Sequence, residues 1–332
     1  MVWYEEGSLM EFFSQHKTYD FMKVSRFFIA TTLSLALFSV ILFFAKGFEY
    51  GIDFSGGTIV QLKYEQKAPI DKIRDDLAKD KMFSGALISE FGSPEEIQIR
   101  FASTSGGVSE DVGDKVRSIL SDSGKFDVRK VDIVGPVVGS ELRQKGIMAA
   151  VLSMLGIMVY VAVRFEWSFA VAAIITLVHD VAITSGVLIL FHIEMSLDVL
   201  AAILTLIGYS INDTIIIYDR IREELKSTKD LNLMHVINTS VSKTLSRTIL
   251  TVLTVFFVVL TLYVFGGEII HGFSFTMLLG VIIGCYSSIF ISAPFLKVLG
   301  FSVEEYKAKI AVKEKNKIEK EKMRSQYEKG TV

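Results

Sequence analysis

An ionisable acid, Asp213, lies inside a long apolar stretch of the sequence, and this position is the clearest sign of chemistry in the chain. The charges resume at Asp219, about a turn and a half further along a helix. A charge at the centre of a bilayer costs about 2.5–3.5 kcal/mol on insertion scales, so such residues normally face a bundle interior and are functional or paired. We therefore treat Asp213 as a candidate proton-binding acid.

A base at the start of the next apolar stretch, Arg247, is the predicted partner of this acid. The helical rise places Asp213 about 8 Å inside the edge of its stretch, at a depth similar to that of Arg247 on the neighbouring helix. The two groups are predicted to pair directly or through a water molecule. Because burial disfavours the charged carboxyl and a guanidinium favours it, Asp213 could exchange a proton while Arg247 stays charged as a counter-ion.

Other polar residues extend the candidate site. Asp180 lies about twelve residues into a further apolar stretch, and we give it the same proton hypothesis, whereas its neighbour His179 is interpreted as a packed histidine. Polar side chains near the acid and the base are predicted to line the site: Ser210, Asn212, Thr214, Thr251, Thr254 and Thr261. The alternative is a static Asp213–Arg247 pair that holds two helices together, with threonines that bond only their own backbone.

Small residues recur at four-residue steps in the last apolar stretch: Thr276, Gly280, Gly284, Ser288 and Ser292. Small side chains let helix backbones approach closely in lipid. This pattern predicts where the last helix packs, and it implies no chemistry.

Six long apolar stretches decide the class of protein. They cover roughly residues 25–45, 143–163, 168–190, 198–218, 247–265 and 274–297. A helix of about 20 residues crosses the hydrocarbon core of a bilayer, so each stretch is long enough to span it. The sequence therefore predicts an α-helical integral membrane protein with six transmembrane helices.

The segment between the first two spans, residues 46–135, is predicted to be a small α+β domain outside the cytoplasm. Alternating apolar residues indicate strands at 57–64, 86–92, 96–102 and 126–134, and helical spacing indicates helices at 69–80 and 109–122, the second capped by Ser109. The order β-α-β-β-α-β is typical of a ferredoxin-like module.

Lys and Arg concentrate at one side of the predicted spans, which predicts that both termini lie in the cytoplasm. The predicted organisation is a cytoplasmic segment (1–24), a first span (25–45), the outer domain (46–135), the remaining spans (143–297) and a charged cytoplasmic tail (298–332). The tail has charges of both signs and is interpreted as a solvated helix or a disordered segment. Weak contact of the tail with anionic lipid or the ribosome is a further possibility.

Other classes of protein are disfavoured. The net charge of −2 gives no indication of nucleic-acid binding, and the single cysteine, Cys285, cannot form an internal disulfide. The sequence contains no metal-ligand spacing, nucleophile–base set or phosphate-binding loop. We therefore expect no enzymatic activity, no cofactor and no metal site.

Several segments resemble the SecF family of bacterial membrane proteins, and together they extend over nearly the whole chain. They are GIDFSGGT (51–58), VGPVVGSEL (134–142), the pair His179-Asp180, GYSINDT (208–214) and DRIREE (219–224). Their order and spacing, with six spans and one large loop, make the resemblance specific. The first segment contains the candidate hinge residues of the outer domain: Gly51, Asp53, Phe54, Gly56 and Gly57. Gly56 and Gly57 act either as a hinge or only as a tight turn before the strand.

The resemblance implies a function, a location and partners. SecF-like proteins belong to the RND superfamily of proton-driven transporters and pair with SecD, a homologous six-span subunit. The pair works with the SecYEG channel, and indirectly with the SecA motor and the preprotein. It uses the proton motive force to draw preproteins across the bacterial cytoplasmic (inner) membrane, whose lipid is a further partner. The resemblance also assigns the proton role to Asp213 and Arg247, with H⁺ as the transported ion and Na⁺ left open.

Two other functions stay open. One is an RND-type exporter of small molecules or lipids, although such proteins usually carry twelve spans and two large outer loops in one chain. The other is a static scaffold without energy coupling. Tolerance of neutral isosteres at residues 213 and 247 would favour the scaffold.

Overall fold

The computed structural model describes residues 18–101 and 112–328 of the chain. Within these residues, six helices are long and apolar enough to cross a membrane. The same residues form one small antiparallel sheet of four strands. The predicted fold class, a six-span helical membrane protein with a small α+β domain, is therefore confirmed.

The helices account for most of the described chain. They are α1 (Ser25–Lys46), α2 (Ile52–Ser55), α3 (Ile70–Leu77), α4 (Val112–Ile119), α5 (Pro136–Arg164), α6 (Trp167–Leu190), α7 (Leu197–Ser227), α8 (Leu233–Phe265), α9 (Gly267–Ser287), α10 (Ala293–Val298) and α11 (Val303–Glu328). A π-helical turn, Ser288–Ser292, joins α9 to α10, so that these two helices form the last span. Both α7 and α8 continue beyond the predicted apolar stretches into a polar region around their short connection.

The sheet contains β1 (Gly57–Tyr64), β2 (Leu87–Phe91), β3 (Ser93–Phe101) and β4 (Phe126–Val134), in the order β2-β3-β1-β4. The central strand β1 pairs antiparallel with β3 and with β4. Its buried residues Val60 and Leu62 form one core with Ile73 of α3 and Val116 of α4. The sequence order of strands and helices is that of the ferredoxin-like module. The predicted end of the third strand at 102 and the predicted start of the second helix at 109, with its cap Ser109, lie outside the described residues.

The spans differ in how much of their surface the rest of the chain covers. About half of the most apolar window is buried in α6, α7 and the last span (50–56%), but only 11% in α1, α5 and α8. The spans α6, α7 and the last one therefore form the interior of the bundle. The large apolar side chains on the outer three are left to lipid or to another subunit.

The tail helix α11 is anchored by its first turns at the end of the bundle opposite the sheet domain. Lys307 Nζ donates to the carbonyl oxygen of Thr228 at 2.7 Å and to that of Asp230 at 3.3 Å, in the connection between α7 and α8. The backbone N–H of Tyr19 donates to Ser242 Oγ at 2.9 Å near the start of α8. Both described ends of the chain therefore lie on the same side of the bundle.

Candidate functional site

Asp213 lies in the bundle interior on α7 and is 2% exposed. Its Oδ2 atom is buried and has no hydrogen-bond partner among the described residues. The carboxyl lies within electrostatic range of two other polar groups. They are the hydroxyl of Tyr209, one turn earlier on α7, and the thiol of Cys285 on α9. A buried carboxyl without a partner is costly to keep charged. Asp213 is therefore placed as a proton-exchanging acid would be.

The direct ion pair predicted between Asp213 and Arg247 is not formed. Within the described ranges, no hydrogen bond or ion pair joins the two residues, and Arg247 is exposed on α8. The predicted depth agrees with the structure. The Tyr209 hydroxyl of α7 contacts the Thr251 carbonyl oxygen of α8 at 3.3 Å. Because the two helices are antiparallel, Asp213, four residues after Tyr209, lies at the same level as Arg247, four residues before Thr251. Position in the sequence fixes the depth of a residue in a span, but not the side of the helix on which it lies.

Thr248, which sequence analysis missed, is the buried residue of α8 at this depth. It is 1% exposed, and its Oγ1 atom has no hydrogen-bond partner within the described part of the chain. In the structure, Thr248 continues the helical spacing of the buried positions Val241, Thr244 and Leu245, a pattern that the sequence alone does not mark.

The predicted polar lining of Asp213 is wrong for four residues. Asn212, Thr251, Thr254 and Thr261 are exposed and point away from the bundle interior. Thr251 Oγ1 donates to the Arg247 carbonyl oxygen at 3.1 Å, and Thr254 Oγ1 donates to that of Thr251 at 2.7 Å. These hydroxyls bond their own helix, as the alternative interpretation of the threonines anticipated. Asn212 is outside because each residue turns an α-helix by about 100°.

A buried hydrogen-bond network surrounds Asp180. Its Oδ2 atom accepts from Ser210 Oγ at 2.6 Å and from Ser287 Oγ at 2.9 Å. Its Oδ1 atom lies 3.0 Å from Nδ1 of His179, whose Nε2 contacts the hydroxyl of Thr32. Four spans, α1, α6, α7 and α9, therefore meet at Asp180 and its neighbour.

This network changes the interpretation of His179. The side chain is buried, as a packed histidine would be, but both ring nitrogens contact polar groups. Ser210 stands one helical turn before Asp213 on the buried side of α7, so the network ends close to the candidate acid. No group of three or more His, Cys, Asp or Glu side chains in the described ranges is arranged to hold a metal ion.

The small residues of the last span lie where α9 packs against α7. A Cβ atom on Gly280 would lie 2.5 Å from Leu206 Cδ1, and one on Gly284 would lie 3.1 Å from Ser210 Cβ. Ser288 is fully buried and donates to the Cys285 carbonyl oxygen at 2.9 Å. The close approach at Gly284 brings α9 to Ser210 and so helps to assemble the network around Asp180.

The GIDFSGGT segment connects the sheet domain to α7. Asp53 Oδ2 accepts a hydrogen bond at 3.0 Å from the backbone N–H of Leu197, the first residue of α7. Arg100 of β3 forms an ion pair with Glu194, just before α7. Burial lowers the pKa of Arg100, while the nearby Asp53 carboxylate acts in the opposite direction. The outer domain is thus held directly at the start of the helix that carries Asp213.

The glycines of this segment allow a close approach. Gly56 has φ +73°, and a Cβ atom there would lie 2.7 Å from Pro136 Cα at the start of α5. Gly57 has φ +150°, and its Cβ atom would lie 2.9 Å from the Phe101 carbonyl oxygen. Phe54 is buried, and a Cβ atom on Gly139 of α5 would lie 3.0 Å from the carbonyl group of Phe54, so the two segments of family resemblance pack against each other. The tight-turn requirement is met, and the hinge stays a prediction.

Comparisons with known proteins give a consistent result. The family model for the protein export membrane protein SecD/SecF C-terminal region matches residues 115–302, and the SecD/SecF GG motif matches residues 41–68. Protein translocase subunit SecF of Helicobacter pylori strain 26695 is 51% identical over 97% of this chain and 100% of its own length. SecF of Escherichia coli O157:H7 is 39% identical over 87% of this chain and 90% of its own.

Solved structures of SecDF have the same fold. The crystal structure of SecDF, a translocon-associated membrane protein from Thermus thermophilus, matches with a TM-score of 0.78 and 34% identity over 87% of this chain. A SecDF structure in a super-membrane-facing form matches with a TM-score of 0.66 and 35% identity over 90% of this chain. The present chain spans only 39% and 40% of the lengths of those two chains.

Proposed function

This chain belongs to the SecF family of protein translocase subunits, and we propose that it uses the proton motive force to promote preprotein export together with SecD, the SecYEG channel and the SecA motor. It is a multi-pass inner-membrane protein whose relatives are transport subunits. We infer that both termini lie in the cytoplasm, because Lys and Arg concentrate at that end of the bundle.

The observation that carries this proposal is the unpartnered carboxyl of Asp213 inside the bundle. When Asp213 holds a proton, no buried charge needs a partner. When it loses the proton, the carboxylate needs a cation, and Arg247 lies at the same depth on α8. A movement of α7 relative to α8 that joins these groups would couple proton release to a change of helix packing.

The energy available is sufficient for such a movement. One proton that crosses a potential of 100 mV releases about 2.3 kcal/mol. This free energy shifts a two-state equilibrium by about fifty-fold, since about 1.4 kcal/mol corresponds to a factor of ten. A single proton-binding site therefore suffices to bias a movement of the outer domain.

Contacts at the start of α7 provide a route to the outer domain. Asp213 lies about 24 Å along α7 from Leu197, which binds Asp53. Because Asp53 and Arg100 both belong to the outer region, a shift of α7 along its axis reaches the sheet domain through two polar contacts. The turn at Gly56 and Gly57 is the point where we place the hinge.

The exposed polar residues inside the spans support a partner subunit. Asn212, Arg247, Thr251 and Thr254 would face lipid if this chain stood alone, which is unfavourable for the charged group in particular. The matching SecDF chains extend well beyond the length of this chain, as a SecD portion supplied in trans would require. We propose that SecD covers this polar surface of α7 and α8.

Export into energised vesicles tests the proposal. With SecD present, Asp213→Asn removes the titratable group and keeps the size of the side chain. We expect the stimulation of preprotein export by the proton motive force to disappear, while copurification with SecD is retained. Asp198→Asn, the same change at an exposed position in the first turn of α7, is the matched control. Normal stimulated export by Asp213→Asn would refute the proton role.

A further inference from the structure

We propose that His179 and Asp180 form a second proton-holding pair, an imidazolium beside a carboxylate, whose charge holds α7 in the position that Asp213 requires. The pair acts through Ser210 and is therefore a positioning element. The inference rests on the proposed function, because a second proton-holding pair matters only in a proton-coupled subunit.

The geometry around Asp180 fits an ionised carboxylate. The group accepts hydrogen bonds from two serine hydroxyls and lies 3.0 Å from His179 Nδ1. An ionised carboxylate only accepts hydrogen bonds, so two serine donors and an adjacent imidazole nitrogen that can donate match its charged form. The unpartnered Oδ2 atom of Asp213 presents the opposite environment on the neighbouring helix.

The geometry around His179 fits a doubly protonated ring. Its Nδ1 faces the Asp180 carboxylate, and its Nε2 faces the hydroxyl of Thr32 on α1. An imidazolium donates from both nitrogens, and both neighbours can accept. The residue is 6% exposed, and Asp180 is 1% exposed, so water does not compensate either charge.

Charge balance favours opposite charges on the two residues over a charge on one of them alone. A lone carboxylate or a lone imidazolium at this depth would leave an uncompensated charge in the bilayer core. Among the described residues, the group in contact with Asp180 that can take a positive charge is His179. In the proposed pair, the imidazole ring therefore holds a second proton, which balances the negative charge of the carboxylate.

The three other spans that contact the pair do so through uncharged groups. In the described part of the chain, α1 contributes the Thr32 hydroxyl, α7 contributes Ser210 with Asp213 one turn beyond, and α9 contributes Ser287 with Cys285 and Tyr286 beside it. Asp213 follows Ser210 by one helical turn on the buried side of α7. The state of the pair and the position of Asp213 are thus linked through one helix, α7.

The link to function is the Ser210 hydroxyl. Its 2.6 Å bond to Asp180 is made by a charged acceptor, and such bonds are shorter and stronger than neutral ones. Neutralising Asp180 weakens its hydrogen bond with Ser210, which joins α6 to α7 one turn from Asp213. We therefore expect changes in the pair to alter the pH profile of stimulated export, which a simple packing role would leave unchanged.

Infrared spectroscopy of the purified complex with SecD in lipid vesicles tests the charge state without any transport. All variants carry Asp213→Asn, which removes the signal of that carboxyl. At neutral pH, adding His179→Gln should produce a new C=O stretch of a protonated carboxylic acid, because Asp180 has lost its cation. The band should be absent from the parent and should disappear when Asp180→Asn is added. Absence of a new band, or a band already present in the parent that Asp180→Asn removes, would overturn the charged pair.

Stability gives a second measure if a single variant folds poorly. If the charges compensate each other, His179→Gln with Asp180→Asn should lower the melting temperature of the complex by less than the two single changes together. Additive losses would contradict a charged pair.

Stimulated export supplies the functional test in the chain that retains Asp213. His179→Gln keeps a hydrogen-bond donor but cannot hold a positive charge, and we expect at least a tenfold loss of stimulation with a changed pH profile. His235→Gln, at an exposed position on α8, is the control. Wild-type stimulation and pH profile in His179→Gln would refute the positioning role. Failure of Asp213→Asn to affect export would refute the proposed function instead, and the infrared result would still decide the charge state.

Discussion

The carboxylate of Asp53 accepts a hydrogen bond at 3.0 Å from the backbone N–H of Leu197 and so supplements the N-cap of α7, Ser196. Asp53 and Leu197 lie 144 positions apart in the sequence. A carboxylate at this place satisfies a backbone N–H that has no partner inside the helix, and it interacts favourably with the helix dipole. The outer domain therefore helps to define where the Asp213-bearing helix begins.

Loss of the Asp53 carboxylate should destabilise the junction between the outer domain and the spans. Asp53→Ala is expected to cost at most about 2 kcal/mol, the upper end of the range for loss of a helix N-cap, because Ser196 still caps the helix. Asp53→Asn keeps an acceptor oxygen and should cost less. The measurement is the thermal unfolding midpoint of the detergent-solubilised complex with SecD. Asp71→Ala, at the exposed start of α3, is the control, and an equal loss in the control would remove the special role of Asp53.

Gly56 should tolerate a side chain less well than a glycine of similar backbone conformation with open space around it. Gly56→Ala places a Cβ atom 2.7 Å from backbone atoms of Pro136, whereas Gly85, with φ +79°, has no atom within 4 Å of such a Cβ atom. Both substitutions carry the cost of a positive φ, so their difference measures the close approach alone.

We expect Gly56→Ala to lower the amount of folded protein in the membrane severalfold and Gly85→Ala to change it little. The measurement is the yield of monodisperse complex after solubilisation. Similar yields for the two variants would show that the segment before β1 moves freely away from α5.

Neutralising Arg247 should affect transport without unfolding this chain. The guanidinium makes no ion pair among the described residues, so Arg247→Gln removes no internal contact of that kind. If Arg247 forms an ion pair with the deprotonated Asp213, proton-stimulated export should fall at least tenfold. The melting temperature of this chain purified without SecD should stay within about 1–2 °C, since surface changes alter stability little. The exposed Lys243, which pairs with Glu224 at 2.6 Å, offers the control substitution Lys243→Gln. Full stimulation of export by the proton motive force in Arg247→Gln would refute the counter-ion role.

The sheet domain should lose stability on acidification through Asp80. A hydrogen bond from the backbone N–H of Met82 lowers the pKa of Asp80, and the Lys115 ammonium at 3.0 Å lowers it further. A carboxyl whose folded pKa lies below its unfolded value stabilises the fold above the unfolded value. This contribution is lost as the pH falls through that value towards the folded one.

Hydrogen exchange of β1 and β3 in the full chain, corrected for the intrinsic effect of pH, measures this change. From neutral pH into the range where free aspartate titrates, protection should fall more in the wild type than in Asp80→Asn. Equal pH dependence in the two proteins would contradict the assignment to Asp80.

Much of the architecture follows from the sequence because its physical signals are local. Apolar stretches of about 20 residues define the spans, and two-residue alternation defines strands such as β1. The depth of Asp213 and of Arg247 follows from the rise of a helix. The outer sheet and the six spans could therefore be predicted before any contact was known.

The rotation of each span could not be predicted in the same way. In water, the polar side of a helix marks its exposed face, but lipid is as apolar as the bundle interior. The outward position of Arg247 and the inward position of Thr248 therefore left no clear signal. The partners of His179 and Asp180 were hidden for another reason, because Thr32 and Ser287 lie 147 and 107 positions away in the sequence.

The π-helical turn at Ser288–Ser292 makes the number of residues in this span as important as their identity. Ser287 reaches Asp180 and Ser292 reaches the Tyr218 hydroxyl, although residues five apart point in different directions on a regular α-helix. Converting this turn into a regular α-helix without removing a residue would turn everything after it by about 100°. The ammonium of Lys307 would then move away from the carbonyl oxygens between α7 and α8. The irregular turn therefore sets the rotation of the tail helix relative to the spans.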